Sequence, residues 1–163
     1  QSRSATSMPP FVSSKSASSA TANFLDLPEK IRNDIYERVL IVPHPLYLFQ
    51  EPNSRVETFV PERPSHWLAL LYTNRQIYRE ASSALYGKNH FYFVDITQQQ
   101  LGVLRSFLDC IGPVNAASLS YLCINFPVAE CVDGQTGNIK LRDDSLQSLK
   151  LLRDRCTKLS ILE

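Results

Sequence analysis

The sequence predicts one mixed domain of helices and strands, an α+β or α/β fold, preceded by a short tail that stays outside it. Three observations point there. Four stretches carry apolar residues at three- and four-residue steps, the signature of amphipathic helices, and short aromatic or β-branched runs lie between them. Residues 1–22 hold eight serines and only two charges, Arg3 and Lys15. Across all 163 residues, 44% are hydrophobic and 20% charged, which supplies an ordinary globular core without metal or disulfide staples.

Residues 1–22 cannot bury enough apolar surface to offset the entropy of ordering, so they read as a flexible Ser-rich tail. A phosphorylation-rich linker or a targeting peptide is the functional alternative, since the stretch has no acids. Residues 23–163 form the single domain. Its first helix is expected within FLDLPEKIRNDIYERVL, capped by Asp26 with Glu29 three positions on, and with Pro28 in the first turn. Ile31, Ile35 and Val39 recur every four residues, with Leu27 and Leu40 extending the stripe, while Lys30, Arg32, Asn33, Glu37 and Arg38 lie opposite.

Residues 43–66 contain five prolines, and the apolar runs Leu46–Phe49 and Val56–Val60 suggest a hairpin around Glu51–Asn53. A long helix is expected next. Its stripe is Trp67, Leu70, Leu71, Asn74, Ile77, Tyr78, Ala81 and Leu85, and Gly87 sits at the left-handed stop. Asn74 within that stripe implies a buried amide bracing a neighbouring loop. HFYFV then reads as a strand.

A third helix opens at Thr97, runs through Leu101, Leu104, Leu108 and Ile111, and ends at Gly112-Pro113. Leu119–Phe126 is a strand and Gly134–Gly137 a loop. Asp144 and Gln147 start a fourth helix through Leu146, Leu149, Leu152 and Cys156, and LSILE begins another strand. Strands linked by helices of this length pair in parallel. A last strand stopping at Glu163 would be an exposed edge, so the domain is expected to continue beyond it. The chain opens on Gln1, which fits an excised piece or a removed leader.

Seventeen basic and sixteen acidic residues leave a net charge of +1, with no field to gather nucleic acid or an anionic membrane. No apolar run approaches the ~18 residues that cross a bilayer. Cys110, Cys123, Cys131 and Cys156 show no zinc spacing. They read as buried free thiols of the cytosol or nucleus, with a Cys123–Cys131 bridge the one local pairing to check. His44, His66 and His90 stand apart, and no nucleophile elbow, zinc motif or phosphate loop appears. Asp143-Asp144 lies where a helix N-terminus attracts acids. No enzyme activity, cofactor or metal is expected.

LDLPEKIRNDIYERVL, with Leu27, Pro28, Ile31 and Ile35 as its core, resembles the opening helix of an F-box. NRQIYREASSALYGKNHFYF is similar to the second signature of a group of filamentous-fungal F-box-like proteins, and FLDCIGPVNAASLSYLCINF resembles that group's third block. Together these span roughly residues 24–126. The resemblance implies a protein-interaction adaptor: an F-box docks on the Skp subunit of a cullin–RING ubiquitin ligase while the rest of the chain holds a substrate. Leu119, Leu122 and Ile124, followed by a helix and a strand, are also partly like a leucine-rich repeat. In one departure, a Pro-rich insertion of over twenty residues separates the first two helices.

Two readings of the first stripe stay open. Leu27, Pro28, Ile31 and Ile35 pack on their own domain, or they dock on a partner, since a helix in a partner's groove uses the same i, i+4 anchors. Arg75, Arg79 and Glu80 read as a solvated helix face, with an interaction patch as the alternative. Most of the tyrosines, and Trp67, are expected in the core. The rival functions are a binding or regulatory module without a ligase role, and a secreted effector that has lost its leader; paired cysteines would favour the latter.

Overall fold

A computed structural model describes residues 23–94, 100–125, 129–131 and 139–163. The tail, the Thr97 cap and the Gly134–Gly137 loop fall outside these residues. The described chain is α+β, with four α-helices and a five-stranded mixed sheet.

A 3-10 turn, Phe24–Asp26, leads into α1 (Glu29–Leu40). Asp26 therefore belongs to the turn, which Asn23 caps, and Pro28 occupies the cap position of α1. The insertion folds as the expected hairpin, β1 (Leu46–Gln50) antiparallel to β2 (Val56–Phe59), with Asn53 left-handed at the bend.

The long helix expected from Trp67 divides in two. Ala69–Tyr72 is a 3-10 turn, and α2 spans Arg75–Lys88. Asn74 caps α2, its side-chain oxygen accepting from the backbone of Gln76 and Ile77, both at 2.9 Å. It is an exposed helix cap, not a buried amide. Trp67 lies before the turn and is buried, as expected of a core anchor. Gly87 stays helical, and α2 ends at Asn89.

The remaining elements are β3 (Phe91–Phe93), α3 (Gln100–Ser118), β4 (Tyr121–Cys123), the small hairpin β5 (Ala129–Cys131) and β6 (Ile139–Leu141), α4 (Asp143–Arg155) and β7 (Ile161–Leu162). Gly112 interrupts α3 at φ 77° and ψ 167°, a conformation essentially restricted to glycine, and Pro113 then opens a second helical run instead of closing the element. In α4 the buried positions are Ser145, Ser148 and Leu152, while Leu146 faces out, so the inner stripe is offset from the expected one.

The sheet order is β2-β1-β3-β4-β7, with β1, β3, β4 and β7 parallel. The parallel crossovers and the terminal edge strand match the sequence reading. Each new parallel strand joins on the same side of the last, and the helices cover one face. Leu46, Leu48, Phe91, Phe93 and Leu122 point inward and are buried, as are Leu119 and Ile124. Phe107 of α3 packs on Phe91 and Phe93 at 5.6 and 5.5 Å, and Tyr86 of α2 stacks on Phe91 at 5.8 Å. The other face carries Tyr47 between Phe59 and Tyr92, with His90 stacked on Tyr121. The tyrosines thus depart from expectation: Tyr36 is buried, while Tyr72, Tyr78 and Tyr92 are exposed.

A Cβ added at Gly112 would meet nothing within 4 Å, so its φ is the only obstacle to a side chain. Gly112→Ala is expected to cost about 1–3 kcal/mol, read as a lower urea midpoint with an unchanged slope.

Candidate protein-interaction surface

Helix α1 has two neighbouring faces that can each serve as a packing surface. Successive helical residues are separated by about 100°, so Ile31, Ile35 and Val39 form one row and Arg32, Tyr36 and Leu40 the next. The domain buries the second row. Arg32, assigned to the polar side by its charge, is buried, while Ile31 is 45% and Val39 38% exposed. Leu27 and Ile35 are half-buried and Pro28 is exposed. Ile31, Ile35 and Val39 thus share one face of α1, beside the face that anchors the helix, whereas Leu27 and Pro28 precede the helix in extended backbone and Pro28 stands four positions before Arg32, in line with the anchoring row.

Arg32 is the anchor. Its Nε and one terminal nitrogen donate to the two carboxylate oxygens of Glu80 at 2.9 and 2.7 Å, and the other donates to the carbonyls of Leu27 and Leu25 at 2.6 and 3.4 Å. The Tyr36 hydroxyl and the Gln76 amide also donate to Glu80, at 2.9 and 3.0 Å. Glu80, expected on a solvated face, is therefore the centre of an internal network that fixes α1 on α2. The Arg32 hydrogen bonds hold its carboxyl well below the usual range, down to about 2. Burial, with the bond to Glu80, pushes the Tyr36 phenol up to about 12. Arg75 and Arg79 remain exposed.

Asn89 secures the far end of α1. Its amide donates to the carbonyls of Leu40 and Leu85, both at 3.0 Å, and its oxygen accepts from the backbone N–H of Val42 at 3.0 Å. One buried side chain therefore closes the last turns of both helices. Lys88 pairs with Glu37 across the same interface. Sequence reading missed both Asn89 and the Arg32–Glu80 pair; the one available signal was a polar residue placed directly before an aromatic strand.

The described cysteines Cys110, Cys123 and Cys156 are free thiols, so Cys123 forms no bridge. Cys156 is buried, and burial pushes its thiol up to about 11. Cys110 is exposed, contrary to expectation. Among the described residues no group of His, Cys, Asp and Glu could hold a metal ion, and no helix is long and apolar enough to cross a membrane. No protein-family model, curated protein or solved structure matches the chain.

Asn89→Ala would strand two buried carbonyls and the half-buried Val42 N–H and is expected to cost about 3 kcal/mol in urea denaturation. The folded-state pKa of Glu80 lies below its ordinary 4.5, so its contribution is complete above that pH and is lost as pH falls toward about 2. Glu80→Gln is expected to lose about 2–3 kcal/mol at neutral pH and to show a flatter acid limb than wild type when urea midpoints are compared across that range.

Proposed function

We propose that this protein is an interaction adaptor whose outer α1 row, Ile31, Ile35 and Val39, docks on a protein partner together with Leu27 and Pro28 just before the helix. The observation that carries the reading is the exposure of Ile31 and Val39 on a helix anchored by a different row. An apolar row that the domain does not use gains by being covered, and its i, i+4 spacing suits a partner's groove. The F-box resemblance of the same residues makes the Skp subunit of a cullin–RING ubiquitin ligase the first partner to test, with the rest of the domain holding a substrate. No catalytic step enters this reading, and free thiols fit a reducing compartment, the cytosol or nucleus.

The insertion between α1 and α2 favours a second reading, a binding module of related design with no ligase role. It holds a hairpin and a 3-10 turn where a Skp-docking F-box has short helices close behind the first.

A pull-down of the chain against purified Skp separates the two. The ligase reading expects stoichiometric capture by wild type and at least tenfold loss in Ile31→Asp and in Pro28→Ala. Ile31→Asp should keep its thermal midpoint within a few degrees, because the residue is already about half exposed. No capture by a folded wild type would overturn the ligase reading and leave the module reading.

A further inference from the structure

A cavity of about 180 Å³ opens between the insertion hairpin, α2 and α3. Its walls include Leu46, Val60, Trp67, Leu85, Phe91 and Phe107, each buried. A cavity of about 150 Å³ with apolar walls is large enough for a benzene ring, and here Thr58, Tyr86 and Cys110 add polar groups to the lining. Arg63 is the single charged residue among those that line it, and no carboxylate does. Arg63 is exposed and makes no ion pair among the described residues.

The backbone around Arg63 is unusual. Glu62 and His66 hold φ values of 52° and 57°, left-handed at two residues that are not glycine. Each such position costs of order 1 kcal/mol and persists only where its surroundings impose it. Between them the segment turns sharply enough to bring both Arg63 and Trp67 to the cavity.

We propose that this cavity is a binding site for a small carboxylate with a ring-sized apolar body, the ring against Phe91, Phe107 and Trp67 and the carboxylate at the Arg63 guanidinium. The apolar walls supply affinity through area removed from water, and the guanidinium selects the anion by charge-assisted hydrogen bonding. The site lies away from the α1 stripe and does not depend on the adaptor reading.

Trp67 is the chain's one tryptophan and lines the cavity, so its fluorescence reports occupancy directly. The full chain would be titrated with benzoate, with cyclohexanecarboxylate and with neutral benzyl alcohol. The proposal expects a saturable change with both acids and at least fivefold weaker binding of benzyl alcohol. In Arg63→Gln the acids should weaken at least fivefold and benzyl alcohol stay within twofold. Ile111→Phe, which narrows the cavity from its half-buried rim, should abolish the response to all three. No saturable change in wild type at millimolar benzoate would overturn the proposal, as would equal benzoate affinity in wild type and Arg63→Gln. Arg63 is exposed, so its variant stays interpretable even if Ile111→Phe proves unstable.

Discussion

The pair between Arg32 and Glu80 decides how α1 sits, and much of the molecule's surface character follows from it. A helix with two adjacent apolar rows has two reasonable ways to pack, related by about 100° of rotation. Burying Ile31, Ile35 and Val39 would cover more aliphatic surface, and it is the rotation that hydrophobic pattern alone selects. It would also carry Arg32 away from Glu80, leaving a carboxylate largely enclosed against α2 without its counter-charge. Leaving one member of an enclosed pair without its partner costs about 3–5 kcal/mol, as much as covering about 120–200 Å² of methyl surface gains. Such pairs contribute modestly to stability when intact. Here the effect is on orientation: the fork geometry fits one rotation, and the apolar row is left outside because of it.

The sheet extends the same one-sidedness. Each parallel strand from β1 to β7 is laid beside its predecessor in a constant direction, so the helices accumulate on one face. Leu48 and Phe93 share that face, whereas Tyr47 and Tyr92, one position away on each strand, remain on the other. Parallel sheets are usually covered on both sides. The side that the described helices leave open carries aromatic residues with polar tips, which tolerate water better than aliphatic ones and still offer large contact area.

The elements were legible in the sequence where local chemistry sets them. Pro28 and Pro43 bracket α1, the Glu51–Asn53 turn separates β1 from β2, and inward Leu122 in an apolar run marks β4. What could not be read was anything decided by a partner far along the chain. Arg32 looks like a surface charge until Glu80, forty-eight positions later, is placed beside it. Asn74 had the identity of a helix cap, but the apolar run from Trp67 to Leu85 suggested one continuous helix and hid the break. Gly87 resembled a terminator, yet Asn89 satisfies the Leu85 carbonyl with its own amide, so a left-handed glycine is not needed. Cys110 fails for a simpler reason. It lies at the margin of the buried stripe, about 60° around α3 from Phe107, where it lines a cavity wall and stays exposed.

The insertion that departs from the F-box pattern is also what allows the stripe to remain free. Leu46, Leu48, Val60 and Trp67 all come from residues 41–74, and all are buried in the same core as Tyr36 and Leu40. The strand β1 gives β3 a partner on its open side, and the strained turn at residues 62–66 brings Trp67 against the sheet. A core completed in this way has no remaining need for Ile31 or Val39. In the proposed adaptor, folding would draw on Arg32, Tyr36 and Leu40, and partner binding on Ile31, Ile35 and Val39 of the same helix. On such a helix the outer row can vary without loosening α1, because Glu80 binds Arg32 in the inner row and Asn89 holds the carbonyl of Leu40.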